Sequence, residues 1–98
     1  DQAKTIALLY RSLELVKDDN DILPEIFRTL STIYLDQKQF KQSYVWLKVL
    51  FEVNPGEVSQ KLLDDFSKGY QLDQDRLDSI AELTLDKISQ GQFKSPRS

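Results

Sequence analysis

The chain contains no cysteine, no histidine and no methionine. Without cysteine there is no disulfide, no thiol nucleophile and no thiolate metal ligand, and the redox compartment stays open. Without histidine, the side chain that most often serves as general base, nucleophile activator or zinc ligand is missing too. Methionine is absent even at position 1, so the expectation is that Asp1–Ser98 is a piece of a longer protein. Three glycines and three prolines leave few breaks, as expected for helices with short connections. Gly56, Gly69 and Gly91 are scattered, which excludes a glycine-rich phosphate loop. No apolar run approaches the roughly 20 residues that span a bilayer, and no signal peptide is visible. Thirteen basic residues are interspersed with sixteen acidic ones, for a net charge of −3. That balance disfavours general attraction to nucleic acid or to an anionic membrane. Neither nucleic acid nor direct membrane insertion is expected.

What is present is enough apolar material for one core: 40% of the residues are hydrophobic, and aromatics make up 10% of the chain. Its spacing is helical throughout. Ile6, Leu9, Leu13 and Val16 recur at steps of three or four along a first helix over Ala3–Val16, with Leu8 and Leu15 widening the face. Asn20 or Asp21 can cap a second helix, in which Pro24 occupies the first turn and Phe27, Leu30 and Tyr34 form one stripe. After a tight turn at 36–39, Phe40–Val53 reads as a third helix, ended by Asn54-Pro55-Gly56. A fourth runs over Glu57–Gln71 with Val58, Leu62, Phe66 and Tyr70 at a spacing of four. Asp73 or Asp75 caps a fifth, whose buried face is Leu77, Ile80, Ala81, Thr84 and Ile88. Gly91 stops it, leaving residues 1–91 as one domain and 92–98 as a polar, flexible tail. The expected fold class is all-α, antiparallel hairpins of about five helices.

The carboxylates are grouped, but not as a metal site. A calcium loop needs oxygen ligands at alternate positions and a central glycine. Asp18 and Asn20 begin such a spacing, yet Leu23 stands where glycine belongs, and the pair Asp73 and Asp75 leads into Ile80 and Ala81. Both groups fall where helices begin and read as caps that satisfy free amides and the helix dipole. Lys38, Lys41 and Lys48 share one region and Lys94 with Arg97 charges the tail, without the density or interleaved aromatics of a nucleic-acid surface. No catalytic residue, metal or cofactor is expected.

Residues 24–57 carry a further pattern. Phe27, Leu30 and Tyr34 follow the order of a large aromatic, leucine and tyrosine; Phe40 opens the next helix, Ser43 takes a small position, Leu47 and Leu50 follow, and Pro55 terminates. This stretch resembles a tetratricopeptide repeat, a helix–turn–helix unit of 34 residues. Ser31 departs from the usual Gly or Ala, Lys38 sits in the turn where Gly is common, and Leu50 replaces a small residue. The first helix resembles the second half of a preceding, degenerate repeat, and the last two helices read as a divergent cap. The resemblance implies a fragment of a right-handed α-solenoid that binds another protein or a peptide and does no chemistry. It also implies a groove lined by Glu25, Arg28, Thr32 and Asp36; a carboxylate clamp is not expected there, because Thr32 stands where Asn belongs.

A second surface is read from the residues alone. The third helix is apolar nearly all round, and Trp46, Val49 and Val53 form a second stripe at i, i+3 and i+7. A helix apolar on both sides must be covered on both sides. The fourth and fifth helices can supply the cover, or the stripe is an interface with another protein or a second copy in a homo-oligomer. Three functions follow: an interaction module, an oligomerisation segment using the Trp46 stripe, or a fragment of a regulator or enzyme whose active residues lie outside this chain.

Overall fold

A computed structural model describes residues 1–96. They form α1 (Gln2–Glu14), a 3-10 turn (Asp19–Asp21), α2 (Pro24–Asp36), α3 (Phe40–Val53), α4 (Gln60–Gly69) and α5 (Gln74–Ser89). No strand occurs among the described residues, so the fold is all-α. Its extents of 34 × 28 × 22 Å and radius of gyration of 12.7 Å match the roughly 13 Å of a compact domain this long.

Local chemistry sets the helix ends. Asp1 caps α1 by accepting from the Lys4 amide, Ser59 caps α4 by accepting from Leu62, and Asp73 caps α5 by accepting from Arg76. Asn20 and Asp21 do not cap α2, contrary to expectation. Asp18 accepts from the Asn20 amide and Asp21 from the Lys17 amide, so the acids organise the connection itself. The first residue of α2 is Pro24, which has no amide to satisfy. At the start of α4, Val58 and Leu63 flank the Ser59 cap and are both buried, the arrangement of a hydrophobic staple. That cap starts α4 at Gln60 rather than at Glu57.

Three helices end alike. The amide of Gln39 reaches back to the Tyr34 carbonyl, Leu72 to Ser67 and Gln92 to Lys87. Each such turn needs one residue in the left-handed region, and these are Lys38 (φ 60°), Gln71 (φ 57°) and Gly91 (φ 70°). Only the last is a glycine. Lys38→Gly is therefore expected to stabilise the protein by about 0.5–1 kcal/mol, the relief of left-handed strain less the glycine's larger unfolded-state entropy. A denaturant midpoint that moves up with unchanged slope confirms it.

The core gathers α1, α2 and α3 around Phe27, Leu30, Leu13, Val49 and Leu50, all essentially inaccessible. Where α2 crosses α3, Ser31 and Ser43 meet. Ser31 Oγ donates to the Ser43 carbonyl at 2.9 Å, Ser43 Oγ donates to the Ser31 carbonyl at 2.7 Å, and the hydroxyl oxygens lie 3.1 Å apart. Two small residues let the backbones approach, and their buried hydroxyls are satisfied by the approach itself. Leu50 adds bulk on the same helix and is buried.

α1 lies against α2 and is tied to it by the Tyr10 and Tyr34 hydroxyls, 2.5 Å apart. Burial first, and then this hydrogen bond, pushes the Tyr10 phenol well above its usual value. The fold thus favours the neutral phenol. Its contribution is complete below about pH 10, the ordinary tyrosine value, and is lost as pH climbs beyond it. The thermal midpoint is expected to fall in step with phenolate absorbance above that pH, and Tyr10→Phe should remove part of the fall. Leu8 and Leu15 do not widen the buried face; they are 70% and 66% exposed.

α4 docks through aromatic rings. Tyr44 faces Phe66, Phe66 meets Tyr70 edge-on, and Tyr70 stacks on Phe40 with centroids 3.9 Å apart. Its buried positions are Leu63 and Ser67, with Leu62 turned to solvent, so the expected Leu62 stripe is rotated by one residue. α5 lies along α3 and runs in the same direction. Tyr44 donates to Asp78 at 2.5 Å near one end, and Val53 meets Leu85 and Ser89 around a small hollow near the other. Leu77, Ala81 and Ile88 of α5 are buried as expected, whereas Ile80 and Thr84 are not.

Candidate functional site

Trp46 does not face outward. It is 4% exposed and Val49 is fully buried, so the stripe of Trp46, Val49 and Val53 is corrected from a candidate interface to core, with only Val53 partly accessible. The cover comes from three directions. Phe27 stacks on the indole at 5.8 Å with planes 7° apart, Tyr10 lies at 5.9 Å, and Phe93 meets it edge-on at 6.3 Å.

Phe93 belongs to the segment expected as a flexible polar tail. Over its described part, Gln92–Pro96, that segment instead lies against the helices. Gly91 turns the chain in the left-handed region, with Val16 and Lys17 so close that a Cβ would sit 3.4 Å from the Val16 carbonyl oxygen. Phe93 then packs on Tyr10 and Trp46. Beyond it, Glu14 accepts from the Ser95 amide at 3.0 Å and from the Ser95 hydroxyl at 2.9 Å. Those two hydrogen bonds hold the Glu14 carboxyl below its ordinary value. Arg97 lies outside the described residues.

Glu25, Arg28, Thr32 and Asp36 all stand exposed along one side of α2. The face is polar but already engaged in part. The Arg28 guanidinium is clasped by both oxygens of Glu57, with Nη2 donating to Oε1 at 2.6 Å, and Thr32 donates to the Arg28 carbonyl. The hydrogen bond from Arg28 depresses Glu57 and raises Arg28 itself. A bidentate pair of this kind fixes the α3–α4 loop to α2 and leaves Arg28 little capacity for a ligand.

The concave feature lies on the other side. A groove of about 600 Å³ runs between α3, α5 and the Phe93 segment, within the range of ordinary ligand sites. Its floor is Val45, Leu77, Ile80 and the edges of Trp46, Tyr10 and Phe93. Its rim carries Lys41, Arg76, Lys87 and Lys94 against one carboxylate, Asp73, which is occupied in capping α5. All four cations are exposed, and among the described residues none has an ion-pair partner. Because α3 and α5 are parallel, Lys41 and Arg76 lie toward one end and Lys87 toward the other, while Lys94 lines the groove from the Phe93 segment. Of Lys38, Lys41 and Lys48, grouped from the sequence, only Lys41 is here, and Lys94 joins it from the tail. Lys48 is buried, paired with Glu52 at 2.9 Å and held 4.9 Å from the Phe51 ring.

Ile80 and Thr84 were legible as members of the α5 apolar face, but their role as groove lining was not. An apolar residue that a neighbouring helix fails to cover carries the same sequence signal as one it covers. Over residues 1–48, the chain matches the family described as a protein of unknown function, DUF2989. That span takes in α1, α2 and the first part of α3, and it leaves α5 and the Phe93 segment outside. No curated protein and no solved structure matches the chain.

Proposed function

We propose that this chain is a protein–protein interaction module of the tetratricopeptide type, without catalysis of its own, whose docking face is the groove between α3 and α5. The observation that carries this is the combination of a solvent-open apolar floor with four cations that no described residue neutralises. A monomer normally covers apolar surface or disperses it; a concave apolar strip with a polar rim is the form of a binding site. The tetratricopeptide resemblance draws support from the unbroken pair of α2 and α3 and from the small residues Ser31 and Ser43 at their crossing. It draws support also from Asp78 meeting Tyr44 at a separation of 34 residues, the length of one repeat.

Selection of peptides from a random library on the immobilised chain tests the reading. Recovered peptides should lose binding to Ile80→Asp and keep binding to Arg28→Ala. Peptides that ignore Ile80→Asp, or that need Arg28, would move the docking face to α2.

A further inference from the structure

We infer that the occupant of this groove is an acidic peptide segment in extended form, with a carboxylate at each end of a short apolar anchor. The inference rests on the groove being the docking face and adds the chemistry of the partner.

Charge placement carries the argument. The chain as a whole is acidic, with a net charge of −3, yet the rim of this one groove holds four cations and a single acid. Unpaired lysines repel one another and gain little by clustering, so an acidic protein that gathers them around an apolar floor creates a local positive field there. The cations are spread along the groove, with Arg76 and Lys87 on α5 marking its two ends. Along α5, Arg76 and Lys87 are eleven residues apart, about 16 Å at 1.5 Å per residue. An extended chain advances about 3.3 Å per residue, so carboxylates some five positions apart reach both Arg76 and Lys87. The side chain between them then rests on Val45, Leu77 and Ile80.

Other occupants fit less well. A fatty acid has one carboxylate and engages one end only, and Ile80, at 40% exposure, leaves the floor open to water. Nucleic acid needs stacking faces, and the Trp46 and Tyr10 rings are buried, with Trp46 stacked on Phe27. The acidic peptide satisfies the cations at both ends of the rim and covers the floor at once.

The test is isothermal titration and amide chemical-shift mapping on the 98-residue chain, with four probes. The first is a capped hexapeptide with glutamates at both ends and phenylalanine and leucine between. The second replaces both glutamates by glutamine. The third is decanoate. The fourth is the chain itself, in a concentration series. The expected result is binding of the acidic peptide with shifts at Val45, Leu77 and Ile80. Glutamine replacement should weaken it about tenfold, each of Arg76→Ala and Lys87→Ala about two- to fivefold, and added salt several-fold. All four cations are exposed, and circular dichroism melts confirm that these variants fold. Equal binding of the glutamine peptide at the same residues overturns the acidic partner while leaving the groove as the docking face. Shifts confined to Glu25, Arg28, Thr32 and Asp36 overturn both readings, as does the absence of any binding. Occupation of the groove by decanoate but not by the peptide, or by a second copy of the chain, replaces the proposed occupant with that one.

Discussion

Trp46→Ala is expected to leave the mass of the chain in solution unchanged and to lower its stability by about 3–5 kcal/mol. The indole touches α1 through Tyr10, α2 through Phe27 and the C-terminal segment through Phe93. Truncation therefore opens a cavity shared by three elements, which no single rotamer change can refill. Small domains hold only about 5–15 kcal/mol in total, and for a domain of this size the loss corresponds to a fall of roughly 15–30 °C in the melting midpoint. Light scattering beside thermal denaturation reads both quantities. A wild-type dimer that the substitution dissolves into a stable monomer would return Trp46 to an interface. Trp46→Phe, which keeps a ring for Phe27 to stack on, should recover a large part of the loss.

The second large effect concerns the crossing of α2 and α3. Ser43→Leu is expected to cost about 2–4 kcal/mol, because it inserts bulk where the two backbones approach and removes a donor that serves the Ser31 carbonyl. Ser43→Ala, which keeps the approach and loses only the hydrogen bond, should cost about 1 kcal/mol. Urea unfolding of both variants separates steric from polar contributions at one position. A double-mutant cycle of Ser31→Ala with Ser43→Ala should show coupling of about 0.5–1.5 kcal/mol, since the hydroxyls touch each other as well as the opposing carbonyls. If leucine is tolerated as well as alanine, the helices are not held at the distance the serines set.

Much of this architecture was legible in the residues. Phe40 and the Asn54-Pro55-Gly56 stop bracket α3, because strong turn signals sit directly against an apolar run. The start of α5 was legible to within two residues, since Asp73 and Asp75 are both good caps ahead of Leu77; Asp73 is the one that accepts from the Arg76 amide. The face of α4 was not. Leu62 and Leu63 are adjacent, and a stripe through Leu62, Phe66 and Tyr70 scores well on spacing. The chain buries Leu63 instead, together with Ser67, whose hydroxyl donates to the Asp64 carbonyl; a buried serine gives no hydrophobic signal. The tail was misread for a related reason. Phe93 is one aromatic among polar neighbours, and nothing local marks it as the residue that closes over Trp46.

The candidate site was the least legible part. Lys41, Arg76, Lys87 and Lys94 come from three segments, and each alone is an ordinary surface charge. They form a rim only because α5 lies parallel to α3 and because Gly91 turns the chain back toward α1. Such long-range placements leave no periodic trace. Arg28 shows the converse: a conspicuous cation on a promising face, already clasped by Glu57.

The turn at Gly91 also governs how the molecule comes apart. A row of helices that touch only their neighbours can fray from either end, with each unit opening at its own free energy. Here the last described residues reach back to the first helix, Ser95 to Glu14 and Phe93 to Tyr10, across 81 positions of sequence in the first case. That closure makes a ring of what would otherwise be a line. α1 cannot lift away without exposing Trp46, and the Phe93 segment cannot lift away without releasing Glu14. Amide protons in α1 and α5 should then exchange through one shared opening rather than two independent ones, and Gly91→Ala should lower the protection of both helices together.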